Sequence, residues 1–266
     1  MFDRFNRNID YLRISVTDRC NLRCRYCMPE EGVKLLRHED ILSFNEITEF
    51  TRVAVSNGVS RVRITGGEPL VRKNIVALVG MIAGISGITD LSMTTNGILL
   101  GEYAVALKHA GLQRVNISLD AIDPRRYKYI TRNGNVKDVL EGIGAATDAG
   151  LLPVKINCVV SESRNEKDAR AVAEFCMKKN LAIRYIRQMD LCRGFFSVVD
   201  GGTGGNCMIC NRLRLTAKGK LKPCLFSPAE FDIRELGYEK ALRLAVKNKP
   251  EAGINNNTGE FYNIGG

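Results

Sequence analysis

Three cysteines stand close together at Cys20-x3-Cys24-x2-Cys27, and three more at Cys207-x2-Cys210-x13-Cys224. Thiolates at the first spacing suit three irons of a four-iron cluster and leave the fourth iron without a protein ligand. An open metal position of that kind can be filled by an electron-pair donor from outside the protein. A fourth local thiol is absent, because the next cysteine is Cys158. A zinc knuckle short of one ligand is the alternative, with His38 as a distant fourth donor. At the second triplet zinc is also open, since Cys192 could complete a tetrahedral set. Cys158 falls in a strand-like run and Cys176 in a helical one, and both read as small core residues.

Charge supplies a second kind of chemistry. Arg13, Arg63, Lys155 and Arg184 stand inside otherwise apolar strand-like runs, where an unpaired charge is costly. Something anionic must face them, or they point outward into water. Arginine suits phosphate because its planar fork donates two parallel hydrogen bonds. The chain as a whole carries 39 Lys and Arg against 29 Asp and Glu, a net +10, which fits an anionic partner. Residues 207–249 hold 10 basic and 4 acidic side chains. With only two histidines, the composition argues against a His-rich zinc or non-haem iron site. There is no Trp and no aromatic-interleaved basic platform, which argues against a nucleic-acid partner. Gly66-Gly67-Glu68-Pro69 is a further signal: paired glycines after a strand let backbone approach a ligand, although a lone Gly-Gly turn is weak evidence.

The elements that must position these residues alternate along the chain. Strand-like runs at Tyr11–Val16, Ser60–Thr65, Leu91–Thr95, Arg114–Leu119, Pro153–Val160 and Ala182–Met189 are separated by segments of helical period at Phe44–Ser56, Ile75–Ile85, Glu102–Ala110, Val136–Ala149 and Lys167–Lys179. Glycines at 58, 111 and 150 mark helix ends. This alternation predicts parallel strands with right-handed crossovers, in an α/β fold. Six strands over about 190 residues are too few for the eight-stranded barrel of roughly 250. A partial, open barrel and a doubly wound sheet both fit, and both place function at the C-terminal ends of the strands. Cys20–Cys27, Gly66–Pro69, Thr94–Gly97 and Ser118–Asp120 all follow strands, as that rule requires. The predicted division is a core over 1–192, a glycine-rich linker over 193–206, and a C-terminal region over 207–266 with a strand at Arg212–Thr216 and a helix from Asp232 to Lys247, capped by Asp232. The N-terminus lacks an apolar targeting segment, and the most apolar stretch, 75–88, is broken by three glycines and falls short of the ~20 residues of a membrane span. A cytoplasmic protein with reduced thiols and no membrane partner is expected.

The C-x3-C-x2-C loop, with Tyr26 before its last cysteine, resembles the radical S-adenosylmethionine (SAM) superfamily, and GGEP at 66–69 strengthens the resemblance. Within it, LRISVTDRCNLRCRYCMP (12–29), RITGGEPL (63–70), TTNG (94–97), NISLDA (116–121) and CxxCNRLRLTAKGKLKPCLF (207–226) are similar to the GTP 3′,8-cyclases of molybdenum cofactor biosynthesis. This resemblance implies a radical SAM core: a partial, open six-stranded (βα)6 TIM-like barrel with a small C-terminal extension. It implies two [4Fe-4S] clusters, one on Cys20, Cys24 and Cys27 with SAM on its open iron, the other on Cys207, Cys210 and Cys224 facing substrate. It places SAM against Tyr26, Gly66, Gly67, Glu68, Ser118 and Met189, and GTP against Arg13, Arg63, Thr94, Lys155, Arg184, Arg212 and Arg214. It brings the tail glycines Gly265 and Gly266 into the active site. The implied reaction is a lyase-type radical cyclisation of GTP to 3′,8-cyclo-7,8-dihydro-GTP. A one-electron donor protein and a downstream cyclic pyranopterin monophosphate synthase are the implied partners; a homodimer is left open.

The chain departs from the family pattern in three places. The segment between Met189 and Cys207 is short, Arg187-Gln188 replaces an acidic residue and a hydrophobe, and Asn255–Asn257 replaces a basic approach to the tail. Two other classes compete with the cyclase reading: a radical SAM enzyme with an auxiliary cluster acting on a peptide, and a non-enzymatic zinc protein that binds nucleic acid.

Overall fold

The computed structural model describes residues 1–189 and 197–253. Cys192, Asn255–Asn257, Gly265 and Gly266 lie outside the described residues. The first six strands are β1 (Tyr11–Ser15), β2 (Arg61–Thr65), β3 (Asp90–Thr95), β4 (Arg114–Ser118), β5 (Lys155–Val160) and β6 (Ala182–Arg187). The helices between them are α1 (Phe44–Ser56), α2 (Ile75–Ala83), α3 (Leu100–His109), α4 (Pro124–Thr131), α5 (Val136–Asp148) and α6 (Lys167–Lys178). Three strands and two helices complete the chain: β7 (Arg212–Leu215), β8 (Lys220–Lys222), β9 (Phe231–Asp232), α7 (Ile233–Leu236) and α8 (Tyr238–Lys247).

The strands form one sheet in the order β6-β5-β4-β3-β2-β1-β7-β8-β9. Neighbours are parallel from β6 to β7, and β8 and β9 are antiparallel additions. The sheet does not close, so the expected partial barrel is what the chain builds.

Side chains alternate across the sheet as a period of two demands. Leu12, Ile14, Val62, Ile64, Leu91, Met93, Val115, Ile117, Ile156, Leu213 and Leu215 are buried on the outer face in the same core as Ile47, Phe50, Leu78, Ile82, Leu107, Val139, Ile143 and Val172 of the helices. Phe50 of α1 meets Tyr238 of α8 edge to face, with centroids 5.9 Å apart. Parallel strands buried on both faces read as continuous apolar runs. Here every second residue is polar or charged, which marks the inner face as a lined cavity rather than a packed core.

Local signals explain most boundaries. Ser43 and Glu46 form a reciprocal capping box at the start of α1. Glu46 also receives Arg234 at 2.6 Å, and that pairing holds its carboxyl down at about 2. The helix expected over 232–247 begins on its Asp232 cap but is cut in two at Gly237, whose φ is +78°. The short, polar α4 had no strong apolar period, although Asp123-Pro124 is a helix-start signal and Asp123 does cap it. Within the glycine-rich stretch, Asp200 exchanges backbone hydrogen bonds with Tyr185 of β6 at 3.0 and 3.1 Å. No helix among the described residues is long and apolar enough to cross a membrane.

An N-terminal hook ties the two ends of the chain together. Asp3 and Arg7 form a buried ion pair of 2.7 Å around Asn6, which sits at φ +59°. Arg7 then donates to the carbonyls of Cys207 (2.7 Å), Pro250 (2.7 Å) and Glu251 (2.9 Å).

Two glycines of α5 should respond oppositely to alanine. Gly-to-Ala inside a helix normally stabilises by about 0.5–1 kcal/mol. At exposed Gly144 nothing lies within 4 Å of an added Cβ, so Gly144→Ala should show that gain. At Gly142 the Cβ would lie 2.3 Å from the Gly97 carbonyl oxygen, so Gly142→Ala should instead cost about 1–3 kcal/mol. Urea unfolding of both variants checks this; a gain at both would mean that α5 is not seated on the Gly97 turn.

Candidate active site

The first cysteine loop leaves the C-terminal end of β1 and is held against β2's continuation. Gly67 N–H donates to Thr17 O at 2.7 Å, and Glu68 N–H to Arg19 O at 2.8 Å. A Cβ on Gly66 would meet Thr17 O at 2.8 Å, and one on Gly67 would meet Arg19 O at 2.3 Å. The paired glycines are therefore required by the backbone of the cysteine loop itself, a reason the sequence did not reveal. Further on, Cys27 and Met28 N–H both donate to Cys24 O, folding Cys24–Cys27 into a tight turn. Leu22 N–H donates to the Cys20 sulfur at 3.4 Å.

Burial pushes the Cys20 thiol up to about 11 and the Cys24 thiol up to about 12. Burial raises the core thiols Cys158 and Cys176 as well, so ionisation of Cys20 and Cys24 requires a compensating cation. Among the described residues no three Cys, His, Asp or Glu side chains converge on one ion position, as a mononuclear tetrahedral zinc requires. A four-iron cluster takes each thiolate on a separate iron, so the donor set of three thiols fits that group. His38 is exposed on a separate short turn.

Two buried carboxylates fix the loops around the cysteines. Glu68 accepts from Leu70 N–H (3.1 Å), Thr95 hydroxyl (2.7 Å) and Asn96 N–H (2.6 Å), and burial raises it to about 7. Asn96 reaches on to Asn21 of the cysteine loop at 2.7 Å. Tyr26 donates its hydroxyl to Asp120 at 2.8 Å, while the other Asp120 oxygen accepts from Val159 N–H. Burial raises Asp120 to about 6. Asp120 and Thr95 were not assigned from sequence; they occur in NISLDA and TTNG, and only the fold shows what they hold. Ser118 and Met189 sit half-buried at the ends of β4 and β6.

Below this rim the inner face is cationic. Register aligns Arg13 with Arg63 and Arg214, Arg63 with Ser92, Ser92 with Arg114, Thr94 with Asn116, Asn116 with Lys155, and Asn157 with Arg184. Arg63 donates to Ser92 at 3.2 Å and Arg184 to Asn116 at 3.4 Å. Burial pushes Arg63 and Arg214 down to about 9, and Arg13 adds to it at both. Lys155 and Arg184 are also lowered, first by burial and then by neighbouring guanidinium groups. Asp90 pairs with Arg114. The sequence-predicted Arg13, Arg63, Thr94, Lys155, Arg184, Arg212 and Arg214 thus share one lumen.

Tyr11 and Arg114 belong to the same lumen and were missed. Tyr11 lies two residues before Arg13 and Arg114 four before Ser118, and that even spacing along a strand is the signal that could have found them. The Tyr11 ring lies 5.4–5.9 Å from the guanidinium carbons of Arg13, Arg61, Arg63 and Arg212. Its hydroxyl is buried without a hydrogen-bond partner, although Arg13 lies close. Arg13 Nε, Arg212 Nε and Thr94 Oγ1 are buried and unpartnered as well. Buried donors left unsatisfied in this way suit a polyanionic ligand.

The second triplet closes the other end. Cys207 and Cys210 precede β7, which runs parallel to β1, so they sit at the N-terminal end of the lumen, opposite Cys20–Cys27. Cys224 follows β8, whose antiparallel course returns it to the same end. The first triplet follows the C-terminal end of a strand, whereas Cys207 and Cys210 precede parallel β7 and Cys224 follows the reversed β8, which sets the second triplet at the opposite end. Burial opposes ionisation of Cys210, but Lys249 and Arg212 outweigh it and hold the thiol below its usual value. An open depression of about 510 Å³ between residues 1–4 and α8 contains no cysteine of either triplet.

The sequence pattern of the Radical SAM superfamily matches residues 14–176. A protein of Moorella thermoacetica called GTP 3′,8-cyclase is 45% identical, over 88% of this chain and 86% of its own. One of Thermodesulfovibrio yellowstonii with the same name is 43% identical, over 89% and 88%. In fold, the chain is similar to methylornithine synthase (TM-score 0.55, 14% identity, 68% of this chain and 54% of that one). It is also similar to Streptococcus suis SuiB bound to S-adenosylmethionine (TM-score 0.54, 18% identity, 69% and 41%).

Replacing Tyr11 by Phe separates the cost of the orphaned hydroxyl from its use. Tyr11→Phe should stabilise the ligand-free protein by about 1 kcal/mol, since it removes an unsatisfied buried group. It should weaken binding of inorganic tripolyphosphate by roughly 2–10-fold in calorimetric titration, the worth of one neutral hydrogen bond. No change in either quantity would mean that water reaches the phenol.

Proposed function

This chain belongs to the radical SAM superfamily and, within it, to the GTP 3′,8-cyclases, and from that premise we propose that it closes the bond between ribose C3′ and guanine C8 of GTP, as a lyase of molybdenum cofactor biosynthesis. The observation that carries the reading is the basic lumen with a thiol triplet at each end. Cys20, Cys24 and Cys27 would hold one [4Fe-4S] cluster and Cys207, Cys210 and Cys224 a second. When bound, the first cluster and SAM supply one-electron cleavage of SAM and abstraction of hydrogen from the ribose.

The protein's own residues do the rest. Gly66, Gly67 and the Glu68 backbone give SAM a close approach beside the cysteine loop, with Ser118 and Met189 on the facing rim. Glu68 keeps the Thr95–Asn96 turn in place beneath it. Tyr26, anchored on Asp120, backs the Cys24–Cys27 turn. Arg13, Arg63, Lys155, Arg184, Arg212 and Arg214, with Thr94, orient the triphosphate, and Arg212 and Arg214 bring its nucleoside towards the second triplet. Holding both ends of GTP supplies proximity, which is worth more than any single contact. Gly265 and Gly266 are assigned to the same site by the family. A one-electron donor protein and a synthase that consumes the product complete the scheme.

Anaerobic reconstitution followed by SAM, dithionite and each nucleoside triphosphate tests the substrate. GTP alone should be consumed as 5′-deoxyadenosine appears; consumption of another nucleotide, or of none, would reject GTP. Ala at Cys20, Cys24 and Cys27 should abolish SAM cleavage. Ala at Cys207, Cys210 and Cys224 should leave slow, uncoupled cleavage without cyclised GTP, and any product from that variant overturns the role given to the second triplet. Lys155→Ala and Arg184→Ala should each weaken GTP binding by about 1.5–3 kcal/mol, the range for bonds to charged groups. Guanosine binding should be indifferent to both changes, and unchanged GTP affinity would mean that these cations serve only the fold.

A further inference from the structure

Lys249 stands just beyond α8 and is 1% exposed, one of the largest fully buried side chains of the protein. Its ammonium donates to the carbonyls of Arg212 and Pro223, each at 2.7 Å. The Cys210 thiol lies within reach of the remaining N–H. Two of its three donors thus meet backbone carbonyls, and Cys210 is the neighbouring group for the third. Carbonyls satisfy hydrogen bonds but bring no negative charge, and a buried ammonium is costly without an anion. The charges that act on it most are the thiols of Cys210 and Cys224, together with the like-charged Arg7. Lys249 is therefore a cation placed among groups that compensate it only when they are thiolates. Its position is braced from outside: Arg7 holds the carbonyls of Pro250 and Glu251, the next two residues, and that of Cys207.

We propose that Lys249 is the buried counter-charge of the metal centre held by Cys207, Cys210 and Cys224, and that it favours the oxidation state of that centre with the greater negative charge. The inference rests on the reading of this triplet as a metal site. Adding one electron makes the centre more negative by one unit without breaking a bond. A fixed positive charge in a low-dielectric setting stabilises the reduced form more than the oxidised form. Lys249 is a positioning residue for charge, not a ligand.

The test is an anaerobic redox titration followed by electron paramagnetic resonance, with dithionite as reductant. The protein carries Ala at Cys20, Cys24 and Cys27, so that only the C-terminal centre gives a signal. In this background Lys249→Gln and Lys249→Met should lower the ratio of reduced to oxidised centre at the parent midpoint at least tenfold, about 59 mV for one electron. Lys249→Arg, which keeps the charge, should stay close to the parent. If all four proteins titrate together, Lys249 serves only the backbone carbonyls and the proposal fails. If Gln and Met lose the iron while Arg retains it, the charge is needed to assemble the centre, which supports the proposal. Loss of iron from Arg as well would make size the deciding property and overturn it. Absence of iron from the background protein itself would defeat the reading of the triplet, and it would be seen before any Lys249 variant is made.

Discussion

A positive charge inside a protein is costly, and this fold gathers many such charges on one surface. Arg63 and Arg214 are both buried on the inner face, with Arg13, Lys155, Arg184 and Arg212 around them. Asp90 reaches this group and pairs with Arg114. The cost is carried by the opposite face of the same strands, where Leu12, Ile14, Val62 and Ile64 are fully enclosed by helices. A two-faced strand with one apolar and one cationic side is thus the unit from which the site is made. Repeating it from β1 to β5 gives a wall whose outside drives folding and whose inside waits for an anion.

Two acidic groups stand apart from that wall. Glu68 and Asp120, both buried, hold the turns beneath the cysteine loop and do not pair with the arginines. Along the axis of the barrel the first triplet stands with Glu68 and Asp120 at the rim, cations line the middle, and the second triplet stands with Lys249 at the far end. β1 organises this order. Its C-terminal end launches the first cysteine loop, and its free flank receives β7, which carries the second triplet to the other mouth.

Much of this was legible in the sequence because the local signals agree with the global fold. The six βα strands appear within about two residues of their expected ends, since alternation and glycine stops are local properties. Arg13, Arg63, Lys155 and Arg184 announced the lumen by standing in apolar runs. Other features depend on contacts between distant segments and left no local trace. The Gly66-Gly67 pair looked like room for a ligand, but its immediate neighbours are Thr17 and Arg19. Tyr11 opened a strand-like run and carried no assigned role, because its buried hydroxyl and the four arginines around its ring come together only in the fold. Lys249 was one of ten basic residues over 207–249, and only its bonds to the carbonyls of Arg212 and Pro223 show it to be enclosed.

The join between the two ends of the chain also governs how the protein can be made. Arg7 leaves the ribosome about 200 residues before the Cys207 carbonyl it will hold. β1 acquires β2 as a neighbour early, but its other edge stays bare until β7 emerges. Through most of synthesis the nascent chain therefore presents an open strand edge flanked by unpaired cysteines, the kind of surface that recruits chaperones and favours mispairing. The full hook can form only on a chain that has been translated to Glu251.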